Sequence, residues 1–215
     1  EGTLKMLELA RKLDIKKFIF ASSSSVYGEN SNVPWKESDL DLKPISPYAS
    51  SKIAAECFGK MYSHLFGINF IALRFFTVYG AGQRPDLAIH KFFKNILESK
   101  SIPVYGDGST SRDYTYIDDI ISGVVSAINL PVKASVFDIY NLGNSDTVKL
   151  SELITGIEET TGIKAIVDRK GQQAGDVART FADISKAKKE LGYAPATRIE
   201  KGLAEFYKWY KSYVS

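Results

Sequence analysis

The chain has 215 residues, 44% of them apolar and 25% charged, which is the balance of a folded domain with a sizeable core and excludes a disordered or fibrous class. A formal net charge of +3 is too small for a nucleic-acid-binding surface and only weakly favours a small anionic ligand. Cys57 is the single cysteine, so no internal disulfide can form, and its place on a helix reads as a buried, unreactive thiol. No stretch reaches the ~18 apolar residues of a membrane span, no secretory leader is visible, and the expected location is cytoplasmic.

The elements alternate between helix and strand. Residues 3–13 place Leu4, Leu7, Leu9, Ala10 and Leu13 as in an amphipathic helix. Ile15 to Ala21 is a continuous apolar run of the kind buried in parallel sheets, and it ends in four serines, Ser22 to Ser25. Asn30, Asn32, Pro34 and Pro44 make residues 29–46 a long loop. A helix follows from Tyr48 to Phe66, stopped by Gly67, then a strand from Asn69 to Phe75 and a helix from Leu87 to Leu97. Ile102 to Tyr105 leads into the turn Gly106-Asp107-Gly108-Ser109. Asp113 to Ile117 reads as extended, Asp118 to Leu130 as helix, and Phe137 to Leu142 as a parallel strand returning to the main sheet. Leu150 to Thr161 is a helix, Ala165 to Asp168 a short strand, and 183–192 and 199–213 are helices. No internal repeat or low-complexity segment interrupts this order.

The chemistry starts at Ser46-Pro47-Tyr48-Ala49-Ser50-Ser51-Lys52. A tyrosine and a lysine four residues apart share one face of a helix. An ammonium held there favours the phenolate, which a group titrating near ~10 needs if it is to act as a base at neutral pH. The serine run, 25 residues before the tyrosine, puts hydroxyls at the carboxyl end of a strand, where open α/β sheets place their ligands.

Phe20 to Gly28, Ser46 to Lys52 and Leu73 to Gly80 together resemble the extended short-chain dehydrogenase/reductase family, and within it the nucleotide-sugar 4-epimerases. The similarity continues through Arg84 to Ala88, Arg112 to Asp119 and Asn141 to Gly143, covering essentially the whole chain in order. It implies an α/β fold with a Rossmann-type doubly wound parallel sheet and a small C-terminal α/β substrate lobe. Residues 1–85 would belong to the NAD-binding domain and 86–215 mainly to the substrate lobe, with a segment near 117–145 returning to the sheet. Family members open with a strand, a Gly-x-x-Gly-x-x-Gly turn and a helix, and no such run is present. The nearest candidate, Gly80-Ala81-Gly82, lacks the third glycine and leads into Gln83-Arg84-Pro85. The expectation is that the N-terminal half of the sheet, about a hundred residues, belongs to the parent protein but not to this stretch. A half-sheet would otherwise expose an apolar edge strand. A true short homologue is the alternative.

The same resemblance implies the roles. NAD is the cofactor and a UDP-sugar the substrate. Tyr48 takes the proton of the sugar 4-hydroxyl while C4 gives up a hydride. Lys52 lowers the tyrosine's pKa and bonds the nicotinamide ribose, and Phe75 is a further cofactor contact. Ser23, three residues before Val26, matches the catalytic hydroxyl, with Ser24 and Ser25 as runners-up. Arg112 is the diphosphate contact, Tyr105 lies against the uracil, and Asp176 bonds the ribose. Gln172-Gln173 stands where some relatives carry an arginine, which leaves a second diphosphate contact unassigned. Thr77, where many UDP-glucose epimerases have asparagine, joins Ser24 and Ser25 around a C6 carboxylate that Arg84 restrains. UDP-glucuronate therefore ranks slightly above UDP-glucose, with UDP-N-acetyl sugars behind. Related 4,6-dehydratases carry an Asp-Glu pair at the positions of Ser24 and Ser25, and a serine is no general acid near neutral pH, so dehydration is disfavoured. A decarboxylase relative stays open. From a different class, the alternative is a non-catalytic fragment with a nucleotide-sugar-binding or interaction role. The helices around 3–13 and 48–66 match the family's homodimer surface. His64 and His90 belong to no metal-ligand cluster.

Overall fold

The computed structural model describes residues 1–133, 135–171 and 177–214. Its centre is a three-stranded parallel sheet of β1 (Lys17–Ser23), β2 (Asn69–Phe75) and β7 (Phe137–Leu142), in the order β1-β2-β7. Register runs from Lys17 opposite Asn69 to Ser23 opposite Phe75, and from Phe70 opposite Phe137 to Phe75 opposite Leu142. Side chains alternate between the faces. Phe20, Phe70 and Ala72 meet α1 (Gly2–Lys12) and α2 (Pro47–Phe66) through Leu7, Ala10 and Tyr62. Ile71, Leu73, Tyr140 and Leu142 meet α4 (Ile117–Asn129) and α6 (Ser185–Leu191) on the other face.

α2 is specified locally at both ends. The Ser46 hydroxyl accepts the Ala49 N–H at 3.1 Å, Pro47 occupies the first turn, and Gly67 closes the helix at φ 70°. Gly59 lets this helix lie against the sheet, since a Cβ there would stand 2.3 Å from the Phe70 ring. The apolar reading placed Cys57 inside, whereas it is exposed. Ala55, Glu56, Gly59 and Tyr62 form the buried stripe of α2, and Cys57 lies off it.

A second core is built by α3 (Ala88–Leu97), β4 (Ser101–Tyr105), α5 (Leu150–Thr161) and α7 (Ile199–Val214), with Phe93, Ile102, Leu153 and Phe206 fully buried. β4 pairs in parallel with β9 (Ile166–Lys170). Short pairings join the two cores: β3 (Thr77–Tyr79) with β6 (Tyr114–Tyr116), and β5 (Ser111–Arg112) with β8 (Val148–Lys149). The stretch expected to be extended, Asp113 to Ile117, contains β6, with α4 starting at Ile117; β5 precedes it, and the two are separated at Asp113, whose carboxylate is captured by neighbouring amides (below). β1 begins two residues later than expected and runs through Ser22 and Ser23, because its pairing continues to Arg74 and Phe75.

The two outer edges of the sheet differ. On β7, Glu37 accepts the Asn141 N–H at 2.8 Å and the Lys186 ammonium donates to the Ile139 carbonyl at 3.0 Å. On β1 the Lys52 ammonium donates to the Ala21 carbonyl at 2.7 Å, and no strand pairs with that edge among the described residues.

Candidate active site

At the carboxyl end of β1 the four serines divide. Ser22 turns into the core and donates to Glu56 Oε1 at 2.6 Å. Ser23 ends the strand at φ −154°; its Oγ accepts the Ser25 N–H at 3.1 Å and donates to Ser25 Oγ at 3.0 Å. This caps the short 3-10 turn Ser24–Tyr27. Ser24 and Ser25 then face a cleft of about 370 Å³. Ser46, at the N-terminus of α2, shares that cleft with Trp35, Thr77, Arg112 and Thr180. Its described lining holds five hydroxyls and one guanidinium and no carboxylate. Such a wall, with a helix N-terminus beside it, favours an anionic, hydroxyl-rich ligand.

Tyr48 lies in the first turn of α2 and is 54% exposed. The Lys52 ammonium sits 5.4 Å from the Tyr48 ring centre and 5.0 Å from that of Phe20, so the two residues share the helix face turned toward β1. Phe75 is half-buried at the end of β2, in register with Ser23.

The substrate-contact candidates separate into two groups. Ser24, Ser25, Thr77 and Arg112 meet at the cleft. Arg112 Nη1 also donates to the Ser111 carbonyl at 2.9 Å. Arg84 does not line the cleft; it is on an exposed loop with Asp86 Oδ2 at 3.3 Å. Tyr105, at the end of β4, is 40% exposed and also stands outside the cleft lining. Asp176, Gln172 and Gln173 lie outside the described residues.

Behind the cleft, Asp113 is fully buried and accepts from the N–H groups of Asn144 (2.7 Å), Ser145 (3.1 Å) and Ala182 (3.1 Å) and from Thr115 Oγ1 (3.1 Å). Its main chain holds two cleft residues: the carbonyl accepts Thr77 N–H at 3.0 Å and the N–H donates to Thr180 Oγ1 at 3.0 Å. Burial pushes the carboxyl up to about 6, against the pull of those four donors. Arg74, in mid-sheet, bonds Glu56 through Nε (3.0 Å) and Nη2 (2.8 Å) and lies 4.8 Å from the Tyr27 ring centre. Burial opposes its charge, but the Glu56 bonds and the nearby Tyr27 hold its pKa above the ordinary arginine value.

Sequence reasoning missed Trp35, Ser46 as a wall residue, Thr180, Asp113 and the Glu56–Arg74 pair. Two of these left a signal. Arg74 interrupts an apolar strand and so needed a buried partner. Glu56, four residues after Lys52, repeats the spacing of the Tyr48–Lys52 face.

An open parallel sheet with a hydroxyl-lined cleft at its carboxyl edge and a Tyr–Lys helix face defines an α/β protein of the short-chain dehydrogenase/reductase type. Residues 1–143 match the NAD dependent epimerase/dehydratase family, and the chain belongs to it. It is 50% identical over 209 residues to an uncharacterized protein of Methanocaldococcus jannaschii, covering 97% of this chain and 63% of that protein. It is 39% identical over 229 residues to UDP-glucuronate 4-epimerase 4 of Arabidopsis thaliana, covering 100% of this chain and 52% of that enzyme. The crystal structure of UDP-glucuronic acid 4-epimerase from Bacillus cereus with UDP-glucuronic acid and NAD superposes with a TM-score of 0.92 at 37% identity, over 98% of this chain and 66% of that one. The chain thus spans between half and two-thirds of the length of these relatives.

Proposed function

We propose that this chain carries the catalytic hydroxyls and the sugar cleft of an NAD-dependent UDP-sugar 4-epimerase, with UDP-glucuronate ranked slightly above UDP-glucose. The observation that carries the reading is the cleft itself: Ser24, Ser25 and Thr77 face it together with Arg112, at the strand end where Ser23 and the Tyr48–Lys52 face lie. The hydroxyls suit a C6 carboxylate, and the guanidinium suits a diphosphate. The relatives named for UDP-glucuronate epimerisation support the substrate ranking.

The residues fit the nicotinamide-ribose end of NAD. Tyr48 is exposed, and Lys52 spends one of its three donors on the Ala21 carbonyl. The pyrophosphate end is not provided by the described glycines: Gly80 is packed so closely that a Cβ would stand 2.4 Å from Ile117, and it opens no helix. NAD, when bound, would supply the hydride acceptor for oxidation of the C4 alcohol and the hydride donor for reduction of the ketone. Tyr48 takes the proton from the 4-hydroxyl, and Lys52 stabilises the resulting charge distribution. Ser23 holds the C4 oxygen. The keto sugar must turn over before reduction on its other face, so Arg112 grips the nucleotide while the hydroxyl wall holds the sugar loosely. The apolar side chains exposed on α1, at its C-terminal end and on α2, including Met6, Leu9, Leu13, Met61 and Leu65, suit a homodimer, which light scattering in solution tests.

The function is tested by incubating the purified full-length protein with UDP-glucuronate and following anomeric proton signals. Appearance of the C4 epimer, lost in Tyr48→Phe by a factor of at least about 100, is the expected result. Loss of CO2 would select the decarboxylase alternative. Binding of the UDP-sugar without turnover would leave only a nucleotide-sugar-binding role.

A further inference from the structure

We propose that Glu56, clamped by Arg74, is a positioning residue that fixes the Ser23 end of β1 against the helix face bearing Tyr48 and Lys52. The inference rests on the epimerase reading for its chemistry, but its geometry does not depend on it. Two polar links join the end of β1 to α2: Lys52 to the Ala21 carbonyl at 2.7 Å and Ser22 to Glu56 at 2.6 Å. The first uses the ammonium that the reaction itself needs. The second is buried and removed from the chemistry, with Ser22, Glu56 and Arg74 only 3%, 5% and 2% exposed.

Glu56 is held on three sides. Its Oε1 accepts from Ser22 and from Arg74 Nε, and its Oε2 accepts from Arg74 Nη2. Arg74 stands in register with Ser22 on the neighbouring strand, so the carboxylate bridges β1 and β2 from the helix above them. Successive strand residues point to opposite faces, so fixing the Ser22 side chain also fixes the direction in which Ser23 points. The network extends to the cleft. The Arg74 guanidinium lies over Tyr27, Tyr27 stacks on Trp35 at 5.0 Å, and the Tyr27 hydroxyl donates to Asn141 at 2.8 Å. Trp35 is a wall of the cleft.

A buried ion pair is poor evidence for stability, because apolar residues of similar volume often replace it without loss. What it supplies here is direction: three donors converge on one carboxylate, so its angle relative to both strands is fixed. A near-attack arrangement is sensitive to shifts of an ångström, which is the scale on which losing such a link acts.

Ser22→Ala is the decisive variant. It removes the link to β1 while leaving Glu56 both arginine bonds, so no charge is stranded. In the full-length protein, kcat for the UDP-sugar should fall about tenfold with KM unchanged. Ser22→Thr, which keeps the hydroxyl, should recover most of it. The double variant Glu56→Leu/Arg74→Met should show the same kcat loss while staying folded. Amide hydrogen exchange reads the same geometry without turnover: amides 23–27 should exchange about tenfold faster in Ser22→Ala, with 71–73 in β2 unchanged. A purely structural role would instead loosen β2 as well and move kcat and KM together. Ser22→Ala with wild-type kcat and wild-type exchange at 23–27 overturns the proposal. If the wild-type protein does not turn over, the epimerase reading fails alone, and the exchange measurement still decides the positioning role.

Discussion

Replacing Gly59 by alanine sets two effects of opposite sign against each other. Glycine inside a helix costs about 1 kcal/mol relative to alanine, so propensity alone makes the substitution stabilising. The structure opposes this. The new Cβ would meet Phe70 Cε1 and Cζ at 2.3 Å and Cδ1 at 2.5 Å, distances that real Cβ contacts do not reach. Phe70 has no room to retreat. It is fully buried, with Phe18, Phe20 and Phe137 ring centres at 5.5, 5.7 and 5.8 Å. Overpacking of this kind costs about 1–3 kcal/mol, and a ring boxed in by three others belongs at or slightly above the upper end. The net expectation is a destabilisation of about 2 kcal/mol, or a drop of about 4–8 °C in Tm for a chain of this size. Thermal unfolding followed by circular dichroism measures it. Because α2 must lift to relieve the contact, the proposed epimerase activity should fall at temperatures well below the melt. An unchanged or raised Tm would show that α2 slides over β2 without strain, and the account of why this helix sits where it does would be wrong.

Gly202 poses a related problem with a built-in remedy. A Cβ there would stand 2.0 Å from the Tyr79 hydroxyl, and that hydroxyl is buried with no hydrogen-bond partner. Tyr79→Phe should therefore be neutral or stabilising by up to ~1 kcal/mol, and Gly202→Ala should be better tolerated in that background; additive urea-unfolding energies in the double variant would contradict this. Arg74→Met alone strands the Glu56 carboxylate and should destabilise by about 3–5 kcal/mol, far more than the Glu56→Leu/Arg74→Met double variant; equal losses in chemical denaturation would refute the pairing. For Asp113 the carboxyl rises from 3.8 to about 6 on folding, so the folded state binds the proton more tightly. The stability this contributes is fully present below about 3.8 and lost as pH rises through about 6, a span of about 3 kcal/mol. Wild type minus Asp113→Asn, measured by denaturation from pH 7 to 4, should move in favour of wild type as pH falls; the opposite slope rejects it.

The long elements were legible because their signals are local. Asn69 to Phe75 and Phe137 to Leu142 are bounded apolar runs, and Leu150 to Thr161 ends at a left-handed glycine, Gly162. The strands of two or three residues, β3, β5 and β8, were not, because so short a pairing leaves no periodicity and is decided by its partner. In the site, spacing alone gave the shared face of Tyr48 and Lys52. The convergence of Ser24, Thr77 and Arg112 was accessible only through resemblance, since it depends on how the short strands cross between the two cores. Trp35 and Thr180 carried no local mark of their place in the cleft. Arg84 and Tyr105 show the converse: a family motif can be intact in sequence while its side chain stands outside the cleft lining in this conformation. Cys57 shows how an apolar neighbourhood misleads when one helix face is left open.

The bond from Lys52 to the Ala21 carbonyl affects how Lys52 can be studied. Replacing the lysine by alanine would do two things at once: remove the ammonium proposed to assist Tyr48 and take from the Ala21 carbonyl the donor that ties the end of β1 to α2. Lost activity in such a variant would mix chemistry with a loosened hold between strand and helix. Arginine at this position keeps a cationic donor while altering its geometry, which makes Lys52→Arg the informative substitution and Lys52→Ala a misleading one.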